Sequence, residues 1–69
     1  MKDTINNQVG RLRQAGNLTQ EDLASAVGVS RQTIIAIEKG NYVPSVLLAL
    51  KIGKHFKKPI EQIFNIKHA

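Results

Sequence analysis

A three-residue connection, Gly28-Val29-Ser30, joins two segments that each read as a short helix, and it leaves few folds open to the chain. Thr19 is a natural N-cap for the first segment, and Asp22 three residues on resembles a capping box. Glu21 and Asp22 also suit the positive end of the helix dipole. Leu23, Ala24 and Val27 then fall on one face, and Gly28 ends the helix after about two turns. Ser30 caps the next helix at once, with Ile34 and Ile37 on its inward face and Gly40-Asn41 closing it. Helices tied this tightly must cross at close range, and small Ala24 suits such a crossing. This is the pattern of a helix-turn-helix over about residues 19–39.

The remaining segments read as further short helices. Ile5, Val9 and Leu12 are spaced i, i+4, i+7, which predicts a helix from about Thr4 to Ala15, stopped at Gly16-Asn17. Val43-Pro44-Ser45 opens a fourth helix, with Val46, Ala49, Leu50, Gly53 and Phe56 as its core stripe. Leu48 and Ile52 widen that stripe, and Lys51, Lys54 and Lys58 cover the opposite side. Pro59 fits the first turn of a short fifth helix through about Phe64. Residues 65–69 read as a tail. The expectation is an all-α, five-helix single domain spanning residues 1–69.

Composition then narrows the function. The chain has 69 residues, of which ten are Lys or Arg and five Asp or Glu, giving a formal net charge of +5. That excess favours a polyanionic partner. With no Cys and only two scattered His, neither a disulfide framework nor a metal site is expected. The five carboxylates are spread along the chain, and no nucleophile–base pair is visible, so no enzyme, cofactor or small-molecule ligand is expected. The start meets Asp3 and then polar residues rather than the apolar core of a leader. Val46 to Leu50, the longest apolar run, is far short of the ~20 residues that span a bilayer. A soluble cytoplasmic protein is the expectation.

From Thr19-Gln20-Glu21-Asp22-Leu23-Ala24 through Val29-Ser30-Arg31-Gln32-Thr33-Ile34, the sequence resembles the Cro/cI-type (XRE) helix-turn-helix regulators. The likeness continues through Ile37-Glu38-Lys39-Gly40, Tyr42-Val43-Pro44-Ser45, Ala49-Leu50-Lys51-Ile52 and Ile60-Glu61-Gln62-Ile63-Phe64. Within that family it is most similar to the small homodimeric regulators of the cytolysin-repressor type. The resemblance implies a lambda-repressor-like fold of five helices, to which some members add a short terminal β-ribbon. It also implies that Arg13 and Glu38 pair structurally, that Gln20 holds a phosphate, that the helix from Arg31 to Lys39 enters the major groove, and that Gly40-Asn41-Tyr42 faces phosphates. Ala36, Ile35 and Gly53 depart from the family pattern, which often has a longer polar reader, a polar residue and Ala at these places.

The residues support a compatible chemistry. With Ile34 and Ile37 inward, Gln32, Ile35, Ala36 and Lys39 turn outward, and Arg31 stands at the helix entrance. Arg31 suits guanine O6 and N7, and Gln32 suits adenine N6 and N7. Thr33 suits a phosphate or a thymine methyl, and Ile35 and Ala36 suit thymine methyls. Ser30, as the cap beside Arg31, belongs to the same surface, as do Asn41 and Tyr42. One such helix reads too few base pairs to single out an operator, so two copies are expected. Leu47, Leu48, Ile52, Phe64 and Ile66 are the apolar surplus expected at a two-fold interface. The expected function is a dimeric repressor of a palindromic operator in double-stranded DNA. Two alternatives stand beside it: an antitoxin that also binds a toxin protein, and a protein-interaction module on the same fold.

Overall fold

A computed structural model describes residues 3–68. In chain order it comprises β1 (Thr4–Asn7), α1 (Val9–Ala15), α2 (Gln20–Val27), α3 (Arg31–Lys39), α4 (Val46–Phe56), a 3₁₀ turn (Ile60–Gln62) and β2 (Phe64–Lys67). The helix starts follow the local signals. Thr19 Oγ1 accepts the Asp22 N–H at 3.0 Å, and the Asp22 carboxylate accepts the Thr19 N–H at 3.0 Å, a complete capping box. Ser30 caps α3 through the Thr33 N–H at 3.2 Å, and Ser45 caps α4 through the Leu48 N–H at 3.1 Å. Gly28 and Gly40 end α2 and α3 at φ 77° and 80°, where a side chain would be strained.

The core gathers Val9, Leu23, Val27, Ile34, Ile37, Leu48, Ile52 and Ile63, with Leu12, Val29, Phe56 and Phe64 packed against it. Every helix therefore contributes to burying the backs of α2 and α3. This packing leaves the outer face of α3 free and fixes its rotation.

Four expectations need correction. The first helix does not begin at Thr4; residues 4–7 form a strand antiparallel to β2, with Ile5 opposite Ile66 and Asn7 opposite Phe64. Asn6 and Asn7 are weak helix formers. Asn7 Oδ1 accepts the Val9 N–H at 3.1 Å, and Gln8 N–H donates to Ile63 O at 2.8 Å, so the helix starts only after the strand is anchored. At its other end α1 stops at Gly16-Asn17 as the sequence predicts, with Asn17 in the left-handed region at φ 58°.

The fifth helix is only the 3₁₀ turn Ile60–Gln62, so the described residues form four α-helices and a two-stranded ribbon. Most of the supposed tail is β2; Ala69 lies outside the described residues.

The stripe on α4 is rotated from the expected one. Val46 and Leu50 are exposed, whereas Leu48 and Ile52 are buried. Val46 through Leu50 is apolar on every side, so neighbours rather than periodicity choose the inward face. Leu48, Ala49, Ile52, Gly53 and Phe56 follow one ridge toward α2 and the 3₁₀ turn. Gly53 is needed there, because a Cβ would lie 3.0 Å from Lys58 O and 3.1 Å from Ile60 Cγ2.

Candidate nucleic-acid interface

Burial of Ile34 and Ile37 sets the phase of α3. Arg31, Gln32 and Lys39 are exposed on its outer side, and Ile35, Ala36 and Thr33 are half-buried on its shoulders. Ile35 and Ala36, placed on the outward side by the sequence, each show part of their surface. Thr33 is less free than its sequence position implies. Its hydroxyl lies 3.0 Å from Ser30 Oγ, and its N–H is the one Ser30 caps.

One shoulder of α3 meets the start of α2. Arg13, Thr19, Gln20, Glu21 and Arg31 line an open concavity there. Beneath it Glu38 binds three donors. Arg13 Nε donates to Oε2 at 2.7 Å and Nη2 to Oε1 at 3.2 Å, and Gln20 Nε2 donates to Oε1 at 3.2 Å. Arg13 Nη1 donates in addition to Leu18 O at 2.8 Å. The Arg13 guanidinium is held above its ordinary pKa chiefly by the Glu38 hydrogen bond, with burial opposing and the Glu38 charge adding. Glu38 thus ties α1 and α2 to α3 and orients the Gln20 amide. One Nε2 hydrogen and the carbonyl of Gln20 stay free for a ligand. Arg13 is consumed by its partners, which leaves Arg31 as the free cation of this concavity.

The opposite shoulder meets the start of α4. Thr33, Tyr42, Ser45, Leu47, Leu48 and Lys51 line a second concavity together with the turn residues 27–29. Gly40 reverses the chain after α3, and Asn41 N–H donates to Ala36 O at 2.9 Å, which leaves Asn41 and Tyr42 exposed beside it. The α3 ridge is therefore flanked by two polar hollows, one carrying Arg31 and Gln20 and the other Tyr42 and Lys51.

Three contacts of this site lie outside what the sequence predicts. Gln20 bonds Glu38 from 18 residues away, and Lys51 borders α3 rather than lying wholly on the far side of α4. Asn7 Nδ2 donates to Ile37 O at 2.9 Å and so pins the last turn of α3 to the ribbon. The capping box and Glu38 were signals for the first; nothing local announces the other two. Of the expected interface residues, Leu48 and Ile52 belong to the hydrophobic core, Phe64 is half-buried against that core, and Leu47 and Ile66 are 64% and 61% exposed. Among the described residues no cluster of three or more His, Cys, Asp or Glu is placed to hold a metal. No helix among them is long and apolar enough to cross a membrane.

A family model described as helix-turn-helix matches residues 9–63. An uncharacterized HTH-type transcriptional regulator of Methanocaldococcus jannaschii is 60% identical over 60 residues, covering 87% of this chain and 91% of that one. An uncharacterized HTH-type transcriptional regulator of Bacillus subtilis is 53% identical over 60 residues, with the same 87% and 91% coverage. Among solved structures, the restriction-modification controller protein C.AhdI from Aeromonas hydrophila superposes with a TM-score of 0.74 at 27% identity, over 80% of this chain and 83% of that one.

Proposed function

We infer that this chain, which belongs to the helix-turn-helix family of Cro/cI-type (XRE) transcriptional regulators, is a sequence-specific reader of double-stranded DNA that represses by occupying promoter sites. The observation that carries the reading is the α3 ridge, with Arg31, Gln32 and Lys39 exposed between two polar hollows. A helix of this size enters the major groove, where its first residues reach deepest. Arg31 offers a bidentate pair to guanine and Gln32 to adenine. Ile35 and Ala36, half-exposed, supply apolar contact to thymine methyls. Lys39, Asn41 and Tyr42 meet phosphates at the end of the helix. Gln20 meets a phosphate at its start, and Ser30 and Thr33 hold the first turn of α3 in shape. Such backbone contacts set the register, and the base contacts carry the sequence information.

A second copy completes the site. Val46, Leu47, Leu50 and Ile66 expose 73%, 64%, 52% and 61% of their surface. They are the residues we assign to a two-fold interface, with Phe64 at its margin and with Leu48 and Ile52 no longer part of it. Two reading helices then address half-sites about 34 Å apart. Repression needs nothing beyond occupancy of the promoter.

Selection of binding sites from random duplex DNA tests this reading. The expected result is a palindrome with half-sites about one helical turn apart. Gln32→Ala is expected to lose about 1–3 kcal/mol on the selected site and to relax one base position, with nonspecific binding nearly intact. Enrichment of no sequence would overturn the reading, and a single unpaired half-site would overturn the dimer.

A further inference from the structure

We propose that Lys51 is a phosphate anchor for the DNA strand on the opposite side of the groove from Gln20, an inference that rests on the duplex-reading function above. A helix lying in a major groove about 12 Å wide has a phosphate backbone along each side. Gln20 and Arg31 stand on one shoulder of α3. On the other, the concavity next to Thr33 holds a single cation among its lining residues, Lys51.

The other polar groups there are largely committed. The Thr33 hydroxyl is bonded to Ser30, and the Ser45 hydroxyl caps α4. Tyr42 and Lys51 remain to meet an anion. Among the described residues no carboxylate pairs with Lys51: Glu38 is held by Arg13, Asp3 lies against His68, Asp22 serves its capping box, and Glu21 and Glu61 form no ion pair. Its charge is therefore unneutralised at the edge of the reading ridge.

The lysines of α4 and its exit are not equivalent. Lys51 and Lys54 share an adjoining hollow with Ser25, Ala26 and His55, which extends the positive surface back from α3. Lys57 and Lys58 line a different groove, beside Glu61 and Pro59. Local contact thus separates Lys51 from a lysine that only adds to the overall field.

Affinity for a duplex carrying a selected site, and for a scrambled duplex, measured from about 50 to 200 mM salt, tests the assignment. Each neutralised phosphate contributes about 0.9 to the log–log salt slope. Lys51→Gln is expected to reduce that slope by about 0.9 per bound protomer on both duplexes, with the selected sequence unchanged. Lys51→Arg should retain the slope, and Lys58→Gln should leave it near the wild-type value. Equal slopes for wild type and Lys51→Gln would overturn the anchor, as would equal effects of Lys51→Gln and Lys58→Gln. If the wild-type protein shows no salt-dependent duplex binding at all, the duplex-reading function itself falls.

Discussion

Replacing Glu38 by Ala removes the acceptor shared by α1, α2 and α3. Three hydrogen bonds go, two from Arg13 and one from Gln20. The Arg13 and Glu38 side chains are each 12% exposed. Exposed ion pairs contribute about 0–1 kcal/mol, whereas stripping one partner from a fully buried pair costs about 3–5 kcal/mol. The observed exposure places Glu38→Ala between these limits, at about 2–3 kcal/mol. Part of the Arg13 charge is still met by Leu18 O, which keeps the loss below the buried extreme. For a domain of this length each kcal/mol moves Tm by about 4–8 °C, so the variant should melt roughly 10–20 °C lower. Urea unfolding followed by far-UV circular dichroism, run for wild type, Glu38→Ala, Arg13→Ala and the double variant, isolates the pair. Residues in direct contact are expected to couple by about 1–2 kcal/mol. That coupling should survive 0.5 M salt, because a pair this enclosed is poorly screened. A coupling below about 0.5 kcal/mol, or one abolished by salt, would refute the view of Glu38 as the clamp on α3.

Two further outcomes follow from the same packing. Gly10→Ala would ordinarily gain about 1 kcal/mol of helix propensity, but the new Cβ would lie 3.3 Å from Glu38 Oε1; the gain should be absent in the wild-type background and appear in Glu38→Ala, as read by urea midpoints. The Asp22 carboxyl is held below its ordinary value of 3.8 by its bonds to Thr19, backbone first and then side chain. Its contribution to stability is therefore complete above about pH 4 and is lost as pH falls through the lowered value, so Asp22→Asn should flatten that part of the stability–pH curve between pH 5 and 2.

The helix-turn-helix was legible because its signals are local. Thr19 with Asp22, Gly28, Ser30 and Gly40 act within a few residues of themselves, and Ile34 with Ile37 fix which side of α3 faces out. Gln32, Arg31 and Lys39 emerge as exposed for that reason alone. The ribbon was not legible as such. Ile5 continues the helical spacing of Val9 and Leu12, and only its partner Ile66, at the other end of the chain, overrides that spacing. The side of α4 was equally hidden, because a run apolar all round has no polar face to turn outward. Lys51 inherited that ambiguity, and its place beside Thr33 appears only once Leu48 and Ile52 are seen to point inward.

The β1–β2 ribbon also has a consequence for the order of folding. Its pairing joins residues 4–7 to residues 64–67, so almost the whole chain is the loop it closes. Loop-closure entropy over that length is roughly 3–4 kcal/mol, and contacts of low sequence separation form ahead of such long-range ones. The helix-turn-helix can assemble from neighbours, while the ribbon closes after β2 has emerged. The bond from Asn7 to Ile37 O makes the last turn of α3 one of the final parts of the fold to be secured, at the moment β1 and β2 pair.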